Sequence, residues 1–215
     1  MLSRKIAIVT ALSLATFAVA NASAQLQVTE AMSLSGTGGT PDWFEVTNFG
    51  PSAVNITGSR VDDNSNSFTS SLPLNNVTSI AAGESIVFVE SAAALTEIPA
   101  FRSQWNIPLS VQIGDYAGSG VGLSGAGDAV NLYDSAGNLL NNVTFAAATT
   151  GSSFGYNPVT NTFGAVSVLG VFGAYTANVG TGLIANTASP GLIPEPATLG
   201  LVAAGAIVAL RRRRA

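Results

Sequence analysis

Apolar and polar residues alternate in short runs through the middle of the chain, and Gly, Asn, Asp, Ser and Pro separate the runs. Period-two alternation bounded by turn residues predicts strands. Leu26, Val28 and Met32 alternate with Gln27, Thr29 and Ala31, which predicts a first strand over 26–32. Residues 43–47 predict a second, broken by Asn48-Phe49-Gly50-Pro51. Residues 54–61 predict a third, bent at Gly58. Ile86-Val87-Phe88-Val89, within 85–90, is a continuous apolar run suited to a buried strand. Residues 129–133 predict a strand that turns through Asp134-Ser135-Ala136-Gly137 into 138–145, a hairpin. One short helix is expected within 91–105, around Ala92-Ala93-Ala94-Leu95, stopped near Pro99. Residues 154–189 are rich in Gly, yet Val166, Val168, Leu169, Val171, Phe172 and Tyr175 supply apolar surface to pack on the rest. Together these predict one all-β domain over 25–191, a sandwich or a barrel.

The two ends follow other rules. Arg4 and Lys5 precede an apolar run over 6–20, and Ala22-Ser23-Ala24 follows it. A basic start, a short apolar stretch and a small-residue exit predict a secretory signal peptide over 1–24, cleaved after Ala24 with Ala22 and Ala24 as the recognition pair. At the other end, Pro194-Glu195-Pro196 precedes an apolar run over 197–210, then Arg211, Arg212, Arg213 and Arg214. As a helix this run reaches about 21 Å, against a hydrocarbon core of about 30 Å. Snorkelling arginines and local thinning of the bilayer can seat so short a span. The arginine block belongs on the cytoplasmic side, which leaves the middle of the chain outside. Abutting an apolar helix on an exported chain, the block is not expected to bind nucleic acid.

Residues 192–215 resemble the PEP-CTERM sorting signal, with Pro194, Glu195 and Pro196, a short apolar helix and a terminal arginine cluster in fixed order. The resemblance implies an exosortase-type processing enzyme as partner, acting near the Pro-Glu-Pro motif. It also implies membrane anchoring through the C-terminal helix before processing, and a bacterium that makes exopolysaccharide. The product would be destined for the envelope or the extracellular matrix, with exopolysaccharide as a candidate contact.

Composition narrows the chemistry. The chain has no His and no Cys. That removes a Ser-His-Asp triad, a thiol nucleophile, disulfides, and zinc or haem sites of the ordinary kind. With the ends set aside, residues 25–193 hold Arg60 and Arg102 against eleven acids, a net charge of -9. Such a surface repels nucleic acid and anionic headgroups.

The strand runs, in their order, resemble the lamin tail domain, an immunoglobulin-like β-sandwich. The residues that carry the likeness are Val28-Thr29-Glu30-Ala31, residues 42–48, Val54-Asn55-Ile56-Thr57-Gly58, Ala82-Gly83-Glu84, residues 127–134 with Gly137, and Ser189-Pro190-Gly191. The family commonly has Trp after the glycine matching Gly58, where this chain has Ser59. The resemblance implies an interaction or structural module without catalysis. The expected whole is an immunoglobulin-like sandwich flanked by a signal helix and a transmembrane helix.

Three constellations invite a sharper function. Gly120-Val121-Gly122-Leu123-Ser124-Gly125 fits G-x-G-x-x-G, but it leads into a predicted strand, whereas a dinucleotide loop opens a helix. A flexible β-loop is expected. Asp62, Asn64 and Asn66 offer alternate oxygen ligands to calcium, but Ser67 and Pro73 stand where an EF-hand needs Gly and Glu. A solvated turn is expected, no metal or cofactor, with a calcium-dependent adhesin as an alternative. Glu30 and Glu45 lie within strands among apolar neighbours. An exported hydrolase would need two acids across a cleft. The expectation is instead that these glutamates satisfy backbone or Arg groups near a sheet edge, and that Arg60 or Arg102 pairs with an acid.

Overall fold

The computed structural model describes residues 26–36, 40–118, 120–178 and 181–192. Among these residues fourteen strands and one helix follow in chain order: β1 (Leu26–Met32), β2 (Trp43–Asn48), β3 (Val54–Asn55), β4 (Arg60–Asp62), β5 (Leu72–Pro73), β6 (Ser79–Ile80), β7 (Ser85–Glu90), α1 (Ala94–Trp105), β8 (Ile113–Tyr116), β9 (Asp128–Tyr133), β10 (Leu139–Phe145), β11 (Phe154–Asn157), β12 (Thr162–Val166), β13 (Tyr175–Thr176) and β14 (Thr187–Ala188). A six-stranded sheet runs β12-β11-β1-β2-β7-β8, and a four-stranded sheet runs β10-β9-β4-β5. Two short pairs, β3–β6 and β13–β14, complete the described strands.

The two sheets share one core. Phe44, Val46, Ile86 and Phe88 of the large sheet meet Val61, Val130, Leu132 and Phe145 of the small one. This is an all-β sandwich, one of the two architectures that the alternation allows. The large sheet also buries its other face. Trp43, Val87 and Val89 point away from the sandwich and pack on Phe101 and Trp105 of α1. The Trp43 ring lies 5.8 Å from Phe101 and 6.0 Å from Trp105, edge-on to both. Burial on both faces is why the β7 run is continuously apolar.

The helix has a topological cause. The ladders between strands are antiparallel except β7–β8. A parallel pair needs a crossover, and α1 is that crossover. It does not stop near Pro99 but continues to Trp105. The carbonyl that Pro99 leaves unpaired is that of Leu95, a residue 94% exposed, so water can take its place. Beyond it, Phe101 and Trp105 are buried, and each such side chain contributes about 1.5–3 kcal/mol. Asn106 ends the helix in the left-handed conformation, with φ 51°.

The predicted third strand is two strands in different sheets. Gly58, at φ +78°, turns the chain between β3 and β4, a conformation glycine takes without steric cost. Among the described residues, neither Arg60 nor Arg102 pairs with an acid. Arg60 Nε donates to Ser71 Oγ at 2.8 Å, and its guanidinium also donates to the Ser71 carbonyl. Arg102 donates to the carbonyls of Pro108 (2.5 Å) and Val111 (2.9 Å), closing the loop after α1. Arg102→Ala is expected to cost about 1 kcal/mol. A lowered urea midpoint with unchanged slope would report that loss, and an unchanged midpoint would contradict it.

The glycine-rich segment at 120–125 is a loop leading into β9, with Val121 and Leu123 buried in the sandwich. Among the described residues no helix is long and apolar enough to cross a membrane. The expected signal helix and transmembrane helix lie outside the described residues.

Candidate functional site

A β-bulge builds the most unusual site. The β1–β2 register shifts between Val28 and Glu30, and Glu30 lies opposite Glu45. The extra residue puts Thr29 and Glu30 together on the outer face of the large sheet, while Val28 and Ala31 stay in the sandwich core. Glu45 and Thr47 of β2 join them through alternation. Both glutamates are 1% exposed.

Neutral donors satisfy this buried pair. Glu30 Oε1 accepts from Ser153 Oγ at 2.6 Å and from Ser167 Oγ at 3.3 Å. The Ser189 N–H reaches Oε1 at 2.9 Å and Oε2 at 3.1 Å, and Ser189 Oγ donates to Oε2 at 3.0 Å. Glu45 Oε1 accepts from Thr29 Oγ1 at 2.6 Å, and Oε2 from the Gly191 N–H at 2.7 Å. A chain of hydroxyls continues from Thr29 to Thr47 (2.8 Å) and Ser85 (2.6 Å). The expectation that these glutamates satisfy backbone groups holds. Among the described residues they use no arginine, however, and they sit on central strands rather than near an edge.

Ser189, Pro190, Gly191 and Leu192 make the turn that lies on this pair. Leu192 N–H donates to the Ser189 carbonyl at 3.0 Å. Gly191 has φ +77°. Proline at the second position and glycine with positive φ at the third are the residues of a type II turn. A Cβ on Gly191 would also lie 3.0 Å from Val111. The turn thereby aims two backbone N–H groups, of Ser189 and Gly191, at the two carboxyls.

Burial without a cation sets the protonation. Desolvation raises the Glu30 carboxyl above its ordinary range. Desolvation, then the neighbouring Glu30, pushes Glu45 up to about 8. Like charges this close in a dry site do not both ionise, so the pair holds at most one negative charge near neutrality. A second acidic group surrounds Tyr116. Asp42 is pushed up to about 7 by desolvation, then by Glu90 and Asp128. The Tyr116 hydroxyl is buried with no hydrogen-bond partner among the described residues, and is raised by burial and by the same three acids. Among the described residues, no group of three or more acids is arranged to hold a metal ion.

Asp62 and Asn66 have other partners on their side-chain oxygens, and Asn64 has one on its backbone N–H. Asp62 accepts from Ser65 Oγ (2.6 Å), the Ser67 N–H (2.6 Å) and Ser70 Oγ (3.3 Å). The Asn64 N–H donates to Asp128 (2.9 Å), and Asn66 Oδ1 accepts from the Tyr133 hydroxyl (2.6 Å). This is an Asx-rich turn, but Asp62 itself is fully buried rather than solvated. Ala22, Ala24, Pro194, Glu195, Pro196 and Arg211, Arg212, Arg213 and Arg214 lie outside the described residues.

Residues 19–147 match the family model described as Lamin Tail Domain. The chain belongs to the lamin tail domain family. Residues 192–214 match the PEP-CTERM protein-sorting motif. No curated protein and no solved structure matches the chain. In this lamin tail domain protein the large sheet continues past the matched span, because β11 pairs with β1 and β12 with β11. The sorting motif marks an exported chain that is anchored in the membrane before an exosortase-type enzyme processes it. Its match begins at Leu192, the last residue of the closing turn.

Ser153, Ser167 and Ser189 were not foreseen as partners of Glu30. One signal in the sequence points toward such residues. Two strand glutamates in a domain with only two arginines need neutral donors if they are buried.

Proposed function

We propose that this lamin tail protein is a non-catalytic module displayed outside the cytoplasm, delivered by its sorting tail and released or transferred to the envelope or extracellular matrix. One observation carries the reading. The closing turn is clamped on Glu30 and Glu45 and ends at Leu192, where the sorting motif begins. A cut near Pro194, Glu195 and Pro196 therefore removes the anchor without removing any residue of the clamp. The non-catalytic reading is supported by the 1% exposure of both glutamates, since a paired-carboxylate hydrolase needs its acids on either side of a bound sugar. In the matrix, the acidic domain is suited to display beside exopolysaccharide.

The test is a triple substitution, Pro194→Ala, Glu195→Ala and Pro196→Ala, expressed in the native cell. The chain is expected to accumulate in the membrane fraction, unprocessed, with the thermal midpoint of the native domain. Unchanged mass and partition relative to the native protein would refute the role of the motif.

A further inference from the structure

Charge is segregated along this chain. Every acid of the domain lies at or before Asp134, and residues 135–194 contain no Asp, Glu, Lys or Arg. The same uncharged stretch exposes its apolar side chains. Val166, Val168, Leu169, Val171, Phe172 and Leu192 are each between 42% and 64% exposed. They adjoin one another. Val166, Val168, Val171 and Phe172 line one groove with Ser189. Leu192 lies against Gly173, with its Cδ1 3.0 Å from where a Cβ would stand.

The loop that presents them is tightly made. Gly170 N–H donates to the Ala174 carbonyl at 2.8 Å, Val171 N–H to Val168 at 2.9 Å, and Ala174 N–H to Val171 at 3.0 Å. At its tip Phe172 has φ 47°, a conformation a bulky side chain seldom takes. Gly170 and Gly173 flank it with φ +79° and +83°. The backbone thus fixes the loop that carries a half-exposed Phe.

We infer that this face rests on the lipid bilayer that carries the chain's own anchor, with Leu169 and Phe172 entering the headgroup boundary. The inference rests on membrane anchoring of the chain before processing. Two observations choose lipid as the occupant. First, the domain ends at Leu192 and the apolar run of the sorting tail starts at Ala197. Five residues span at most about 18 Å, so the exit face stays near the bilayer surface. Second, the rest of the domain, at a formal -9, is repelled by anionic headgroups, whereas residues 135–194 contribute no charged side chain to this face, and the Glu30 carboxyl behind it is 1% exposed. The patch is small, but the tether raises its effective concentration at the surface, so a weak contact suffices. Processing removes the tether, and the contact no longer holds.

Because the chain has no Cys, single reporters are simple to place. Full chains carrying Phe172→Cys, Leu169→Cys, or Ala136→Cys on the β9–β10 turn as control are labelled with a polarity-sensitive fluorophore. They are reconstituted into phosphatidylcholine vesicles containing a spin-labelled lipid, and floated on a density gradient. The expected result is a floating chain in which the labels at 172 and 169 shift to shorter wavelength and lose intensity to the spin label, while the label at 136 does neither. A floating chain with all three labels in water overturns the inference and leaves anchoring intact. A chain that does not float overturns anchoring and the inference with it. Labels that respond only after a second membrane protein is added overturn it in favour of a protein partner.

Discussion

Glu30→Ala lowers the thermal midpoint by about 6–12 °C, the expected result of a loss of about 3 kcal/mol in a domain of this size. The carboxylate receives three hydroxyls and one backbone N–H. Hydroxyls can rotate to other acceptors, but the Ser189 N–H is fixed by its turn. Left in a dry site without an acceptor, it costs about 1–3 kcal/mol by itself. The void left by the side chain adds to this. One effect opposes the loss, because Glu45 is relieved of its like-charged neighbour. That relief is largest at high pH, so the deficit is expected to be greater at pH 5 than at pH 8. Glu30→Gln keeps the volume and one acceptor oxygen, and should cost less than the Ala variant. Amide exchange supplies a local readout, since Ser189 and Gly191 should exchange faster in Glu30→Ala while the β2–β7 ladder keeps its protection. An unchanged or raised midpoint would mean that the pair is only a burden on the fold.

Stability is also expected to fall as pH rises from about 5 to about 8. Burial raises Glu30, and pushes Glu45 up to about 8 and Asp42 up to about 7. In the unfolded chain these carboxyls titrate near their ordinary values, 4.5 for Glu and 3.8 for Asp. Across the interval between, the unfolded state binds fewer protons than the folded one, so raising pH favours unfolding. The stabilisation is complete below the unfolded values and is lost as pH passes the folded ones. Each such proton gives a slope of up to about 1.4 kcal/mol per pH unit. Glu45→Gln, neutral throughout, should flatten its share of the slope. Urea midpoints at pH 5, 6, 7 and 8 measure it, and a flat or rising series would contradict the protonated pair.

Much of the sandwich was legible because alternation survives wherever a strand has one dry face. β1 and β7 agree with the expected residues, and β2, β9 and β10 differ by one residue at an end. The family likeness was legible because it lies in short strand and turn motifs. The region 54–61 misled because a single run of alternating residues cannot report that Gly58 sends its halves to different sheets. Pro99 misled because the penalty for a proline inside a helix is local, whereas the burial of Phe101 and Trp105 that outweighs it is tertiary. The short strands β5, β6, β8, β13 and β14 carry too few residues to show a period. The carboxyl clamp was half legible. Glu30 and Glu45 stood out as acids among apolar neighbours, but their meeting depends on a bulge, and more than a hundred residues separate Glu30 from Ser153, Ser167 and Ser189, and Glu45 from Gly191.

On the proposed reading a clamped, folded module ends where its sorting tail begins, and the tail is removed outside the cytoplasm. Intact mass of the native protein from separated membrane and extracellular fractions tests it most directly. The expected result is a chain beginning at Gln25 and ending near Pro194, Glu195 or Pro196, found outside the membrane or carrying the mass of an attached group. A chain still ending at Ala215, found only in the membrane, would contradict processing and make the domain a permanently tethered module.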